Sequence, residues 1–275
     1  MPKTILKNIN KDFHLVPTKE KRIFRHTKSS SEKYRQRRFS RPAKPPLALQ
    51  TTTLWDYPSQ HYGDKTQGDR EYIGATPAYV IWNVISRYSK NNDLIVDPFC
   101  GSGTTLDVAF DLQRQARGFD LVSTRQDIEI ADARNLPLPN NIAKVVFADP
   151  PYGNHIKYSD EPRCIGKLSP YGNDYYHEMD KVFRECCRIL QPGGYFALYV
   201  CDFFIKKHGF APVGFELFAS LAHYLQPVDI IAVVRHNKSF KQSNFHKAAA
   251  EQNFFLRGFN YLFIAQKSLA IKKRR

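Results

Sequence analysis

Asp97-Pro98-Phe99-Cys100-Gly101-Ser102-Gly103-Thr104-Thr105 follows the apolar triplet Leu94-Ile95-Val96 and runs into TTLDVAFDLQRQ (104–115), a stretch with helical spacing. Gly101 and Gly103 therefore leave a strand and enter a helix. Without a Cβ the backbone can turn sharply there and approach a bound molecule. The helix start adds N–H groups and the positive end of a dipole. Asp120 comes nineteen residues after Gly101, at the end of the next apolar segment, where a carboxylate can accept both hydroxyls of a ribose. Two familiar nucleotide sites are excluded. Position 106 is Leu, so the third glycine of a dinucleotide fingerprint is missing, and no Gly-Lys-Ser/Thr marks a P-loop. Asp97, just ahead of the turn, suits a cationic amine or the N–H groups of the loop itself. In Ile130-Ala131-Asp132-Ala133, Asp132 can accept from an adenine amino group at the same edge.

Outward from this turn the pattern is regular. Thr76-Pro77 predicts a helix start, with the Thr76 hydroxyl as N-cap, proline at the first helical position, and Val80, Ile81, Val84, Ile85 and Tyr88 at helical spacing. Strands are predicted at 94–96, 116–121, 127–131, 144–148, 195–200, 229–234 and 261–265, with helices at 104–115, 175–190 and 215–225. Gln191-Pro192-Gly193-Gly194 is expected to stop the helix before it. Short, nearly all-apolar strands alternating with helices predict an α/β fold, a parallel sheet covered on both faces. Ligands of such sheets sit at the carboxyl ends of the strands.

Asp149-Pro150-Pro151-Tyr152 ends the apolar run Val145-Val146-Phe147-Ala148, at that same edge. An exocyclic amine on a base is a poor nucleophile, because its lone pair is delocalised into the ring. A carboxylate and a backbone carbonyl, each accepting one N–H, can draw it toward tetrahedral geometry if both are rigidly aimed. Asp149 supplies the carboxylate and Pro150 the carbonyl. Pro150 and Pro151 stiffen the turn and contribute no N–H, and Tyr152 offers a flat face for the base.

The chain has 275 residues, 42% of them hydrophobic, enough for one α/β domain and an appendage. Its formal charge of +15 is uneven: residues 1–50 hold fourteen Lys or Arg against three acids, whereas residues 51–270 hold 23 of each sign. A basic arm on a neutral body suits a polyanion and equally a solvated tail. Five cysteines, at 100, 164, 186, 187 and 201, form no Cys-x-x-Cys pair and predict reduced thiols without a metal site. The longest nearly apolar run, 195–205, is too short to span a bilayer. The N-terminus lacks a secretory pattern, though its Arg and Ser content also fits an organelle transit peptide. We expect a basic arm over 1–50, an irregular segment over 51–73, a catalytic domain over 74–267 and a basic tail over 268–275.

Taken together, the string DPFCGSGTT, Asp120, Asp132, DPPY, LQPGG and the closing LRGFNY resemble the S-adenosylmethionine-dependent amino-methyltransferases that modify DNA at adenine N6 or cytosine N4. The resemblance covers 74–267, with the cofactor motif before the catalytic one. It implies a Rossmann-like methyltransferase fold, a mostly parallel seven-stranded sheet with a reversed last strand. It also implies a base flipped out of double-stranded DNA. S-adenosylmethionine would be held by Thr76, Asp97, Pro98, Phe99, Cys100, Gly101, Ser102, Gly103, Thr104, Asp120, Asp132 and Ala133, with catalysis by Asp149, Pro150, Pro151 and Tyr152.

Two departures stand out. No stretch of 80 or more residues is left for a large target-recognition domain, so DNA contacts fall to the arm, to 153–174, to 236–258, or to a protein partner or second copy. His155, Lys157, Tyr158, Arg163, Lys238 and Lys241 are the candidate nucleic-acid contacts, and each also fits an ordinary solvated loop. An initial Asp in the catalytic motif leans toward adenine, although the family pairs it with cytosine as well. The expectation is a cytoplasmic, nucleoid-associated bacterial or phage enzyme, solitary or part of a restriction or phage-defence system. The alternatives are a cytosine N4 enzyme, an RNA methyltransferase, and a DNA-binding subunit without activity.

Overall fold

The computed structural model describes residues 44–57, 59–72, 74–123, 125–152, 158–236 and 242–269. Their elements, in chain order, are β1 (Leu54–Trp55), α1 (Ala78–Tyr88), β2 (Leu94–Asp97), α2 (Thr104–Asp111), β3 (Gln115–Asp120), β4 (Ile128–Ile130) and β5 (Ala143–Ala148). After a 3-10 turn, Ile165–Lys167, come α3 (Asn173–Ile189), β6 (Leu190–Val200), β7 (Phe203–Ile205), β8 (Gly209–Ala211), α4 (Val213–Leu221), β9 (Gln226–Val234), α5 (Ser243–Glu251) and β10 (Phe259–Gln266).

Eight of the strands form one sheet in the order β1-β9-β10-β6-β5-β2-β3-β4. β2 pairs in parallel with β3 and β5, β3 with β4, and β5 with β6, while β10 runs antiparallel to both β6 and β9. The expected seven strands and reversed last strand are therefore present, and this is a Rossmann-like sheet. The eighth strand, Leu54–Trp55, pairs with β9 from within the stretch expected to be irregular.

Strand side chains alternate between faces, and that alternation builds two cores. Val96, Val146, Phe196 and Phe263 point to a layer closed by Met179 and Phe183 of α3 and Leu217 of α4. Ile95, Val145, Phe147 and Leu262 point the other way, onto Ile81 and Val84 of α1 and Val108 of α2. Each such side chain, taken fully out of water, contributes about 1.5–3 kcal/mol.

Several expectations shift. The Thr76 hydroxyl does not cap α1, whose N-cap is Pro77 without a side-chain bond; Thr76 is turned to Asp149 instead. α2 stops at Asp111, because Gln113 takes a left-handed conformation (φ 59°) that reverses the chain into β3. The stretch 191–194 lies within β6, bulging where the register jumps from Ala143↔Leu190 to Val145↔Tyr195. The apolar run 195–205 is broken at Asp202, beyond which β7 and β8 form a separate hairpin. Helix α5 stands where loop was expected, with no buried residue. Residues 44–50, assigned to the arm, fasten to α1: Tyr79 donates to the Pro45 carbonyl at 2.7 Å, and the Gln50 N–H donates to Asn83 Oδ1 at 2.8 Å. The rest of the arm, His155, Lys157, Lys238 and Lys241 lie outside the described residues.

Gly118 of β3 is where the sheet meets the glycine turn. A Cβ there would overlap Cys100 Sγ and come within 3.2 Å of Leu106 Cδ2. Gly118→Ala is expected to lose roughly 1–3 kcal/mol in urea unfolding, and Gly118→Ala/Cys100→Ala to regain at least half of that. Equal stability of the two variants would contradict this packing.

Candidate active site

Because β2 and β5 are adjacent and parallel, Asp97 and Asp149 leave the sheet at one edge, one at the end of β2 and the other just past β5. Asp120, the last residue of β3, is on the other side of β2. Three acids thus converge on the glycine turn.

The turn is held by its own carboxylates. Asp97 accepts the Phe99 N–H at 2.9 Å and the Thr105 hydroxyl at 2.5 Å. Asp120 accepts the N–H groups of Gly101 at 2.9 Å and Leu121 at 2.8 Å. Of the two roles open to Asp97, the structure shows the bond to the loop. Gly101 (φ 44°) and Gly103 (φ 78°) are left-handed, and each lies under a side chain: a Cβ on Gly101 would come within 2.7 Å of the Tyr72 ring, and one on Gly103 would overlap the Arg125 guanidinium. Arg125 braces the turn from outside, paired with Asp107 at 2.9 Å and Asp127 at 2.6 Å.

Two clefts open onto this edge. The larger, about 790 Å³ of space open to solvent, is lined by Pro98, Phe99, Asp120, Val122, Asp132, Ala133, Asp149, Pro151, Arg163 and Ile165 among others. The smaller is lined by Thr76, Asp97, Cys100, Gly101, Ser102, Thr104, Asp149 and Tyr152 among others. Tyr72, Phe99, Asp149 and Tyr158 border both. The glycine turn and the carboxylate of residue 149 therefore share one site.

Asp149 is half-buried and accepts a hydrogen bond on Oδ2 from the Thr76 hydroxyl. Burial pushes its carboxyl up to about 7, opposed by the Thr76 bond, reinforced by the charge of Asp97 and eased by Arg235. Asp97 is likewise raised to about 7 by burial, against the bonds from Thr105 and Phe99. Burial also raises Asp120. Asp132 behaves differently. Burial would raise it, but the Arg134 guanidinium, bonded to Oδ1 at 2.8 Å and to Oδ2 at 2.6 Å, outweighs this and holds it low. Both oxygens of Asp132 are thus already engaged. Arg163 lies beside the larger cleft with Nε on Glu161 at 2.8 Å, and Tyr158 sits between the clefts.

Two neighbours of the site were not anticipated. Tyr72 covers Gly101 from a stretch without periodicity, and its only signal is an aromatic residue shortly before Thr76. Arg235, immediately after β9, donates to Cys201 Sγ at 2.8 Å, and its charge reaches Asp149. Its signal is a cation directly following an apolar strand. Among the described residues no cluster of three or more metal-ligating side chains is found, and no helix is long and apolar enough to cross a membrane.

The topology is that of a Rossmann-like α/β fold. Over residues 7–130, a little under half its length, the chain matches the family described as DNA methylase, the N6/N4 amino-methyltransferases. That stretch includes the glycine turn and Asp120 and ends before Asp149. No curated protein matches the chain significantly. Among solved structures, it is similar to an S-adenosylmethionine-dependent methyltransferase from Methanosarcina mazei (14% identity, 68% of this chain and 98% of that one, TM-score 0.44). TrmN from Thermus thermophilus is 18% identical over 71% of this chain and 50% of that one, with TM-score 0.47. A second protein of that organism, described as a DNA modification methylase, is 18% identical over 67% of this chain and 56% of that one, with TM-score 0.37.

The raised carboxyls carry a stability cost. An exposed Asp ionises near about 4, whereas Asp97 and Asp149 do so at about 7. Between those values the folded chain keeps protons that the unfolded chain has released, so stability falls as pH rises through the window. Asp149→Asn removes one share of that cost. The variant is expected to be roughly 1–3 kcal/mol more stable than wild type at pH 8 and equal to it at about pH 3, below the ionisation of an exposed Asp. A variant no more stable at pH 8 would contradict the assignment.

Proposed function

We propose that the protein transfers a methyl group from S-adenosylmethionine to the exocyclic amine of a base in duplex DNA, adenine N6 in preference to cytosine N4. The observation that carries this is the position of Asp149, bordering the same cleft as Asp97, Gly101 and Ser102. The family match over 7–130 supports DNA as the substrate.

The donor set fits the cofactor. Asp120, held by the backbone N–H groups of Gly101, Leu121 and Val122, retains a lone pair for a ribose hydroxyl, and the Phe99, Val122, Ala133 and Ile165 surface of the larger cleft suits a flat ring. Asp97 and Asp149, in the smaller cleft, suit cationic groups. Bound there, S-adenosylmethionine supplies an electrophilic methyl on a sulfonium. The protein's part is to aim the amine. Thr76 occupies Oδ2 of Asp149 and fixes the carboxylate, leaving Oδ1 and the Pro150 carbonyl to accept the two amine N–H groups. As the N–C bond forms and the S–C bond breaks, the amine must lose a proton, and a carboxylate whose pKa is about 7 can receive it. Tyr152, beside Asp149 in the cleft, provides a face for the base.

Purified protein with methyl-labelled cofactor should label duplex DNA, as N6-methyladenine in nucleoside mass spectrometry. Asp149→Ala should lower kcat, measured at saturating cofactor, by about 10²–10³-fold, and Asp120→Ala should weaken cofactor binding by about 10–100-fold. Label in RNA only, or full activity of Asp149→Ala, would overturn the proposal. Removal of residues 1–43 should weaken duplex binding and its salt dependence with unchanged cofactor affinity; unchanged duplex affinity would refute a DNA-binding role for the arm.

A further inference from the structure

A basic hairpin projects from the catalytic edge. β6 is the parallel neighbour of β5, and its carboxyl end, Val200, is three residues before β7. The β7–β8 hairpin thus leaves the sheet beside Asp149. Residues 203–211 (FFIKKHGFA) contain no acid, and Lys206, Lys207 and His208 are exposed at the tip. Among the described residues neither lysine is paired with a carboxylate.

Ordinary solvated lysines need no rigid mount, and this hairpin has one. The Tyr171 hydroxyl accepts the Ile205 N–H at 2.9 Å and donates to the Gly209 carbonyl at 2.8 Å, clamping both strands to the loop that carries Tyr158 and Arg163. Phe204 stacks on Phe254 with ring centroids 5.1 Å apart, tying the hairpin to the segment after α5. Phe210, 51% exposed, lies under the Arg257 guanidinium at 5.1 Å. The result is an anchored hairpin whose tip carries two exposed lysines, with a cation stacked on the aromatic ring of its second strand.

Resting on the proposed methylation of DNA, we propose that this hairpin is a backbone-gripping arm for duplex DNA, with Lys206 and Lys207 on phosphates and the Phe210–Arg257 pair against the sugar edge. A base entering the cleft has to leave its helix, and the strand beside it has to be held. The hairpin supplies that hold, and it reads charge and shape rather than sequence.

Full-length protein is titrated with fluorescent duplex DNA, and with RNA of equal length, across a salt series. Lys206→Ala/Lys207→Ala should bind the duplex about 10–100-fold more weakly near 150 mM salt, with a log–log salt slope shallower by about 1.8, two phosphates at about 0.9 each. Cofactor affinity and kcat at saturating DNA should be unchanged. Tyr171→Phe, which frees the hairpin but keeps its charges, should weaken duplex binding with the slope retained. An unchanged slope and affinity in the double lysine variant, or loss confined to RNA, would overturn the arm. Binding is read without catalysis, so wild-type protein that grips the duplex through these lysines yet transfers no label would refute the methylation reading alone.

Discussion

Everything at the site depends on β2 and β5 lying side by side in parallel, paired as Ile95↔Val145 and Val96↔Val146. That pairing brings residues distant in sequence out of the sheet at one edge, Asp97 into the glycine turn and Asp149 into the Pro-Pro turn. A parallel pair needs a long crossover, and the chain between them provides it as α2, β3 and β4. The crossover also delivers Asp120 to the same edge.

Gathering acids on one rim costs stability, and the structure shows what contains the cost. Asp97 and Asp120 each turn a carboxylate onto backbone N–H groups of the turn they support, so their burial also sets the shape of the loop. Asp149 has no such N–H bond among those described. It is held by one hydroxyl, from Thr76, and steadied at longer range by Arg235. It is the acid left free to take a partner from outside. Its elevated pKa follows from burial, which the Thr76 bond and the charge of Arg235 only partly offset.

Much of this was legible in the sequence because it is local. The glycine turn, its flanking strand and helix, and the Pro-Pro turn after VVFA are contiguous patterns that backbone sterics alone interpret. What stayed hidden was tertiary. Leu54-Trp55 is too short to show a period and becomes a strand only because β9 offers an open edge. The 203–211 hairpin was concealed in an apolar run, since nothing local says that Asp202 turns away to bind the Gly214 N–H and the Tyr261 hydroxyl. Helix α5 buries no residue, so it had no apolar stripe to announce it. Thr76 looked like an N-cap because a hydroxyl before proline usually is one; a carboxylate from seventy-three residues away competes for it.

The sharpest test of two loops sharing one rim is the proton balance of cofactor binding. A sulfonium placed beside Asp97 and Asp149 favours their ionised forms, so binding should expel protons. Calorimetry of S-adenosylmethionine binding in buffers of different ionisation enthalpy, from pH 5.5 to 8.5, should show proton release below about pH 7 and tightening as pH rises, both reduced in Asp149→Asn. The product, S-adenosylhomocysteine, which lacks the sulfonium charge, should show a smaller effect. Affinity independent of pH, or identical proton release in wild type and Asp149→Asn, would contradict the shared site.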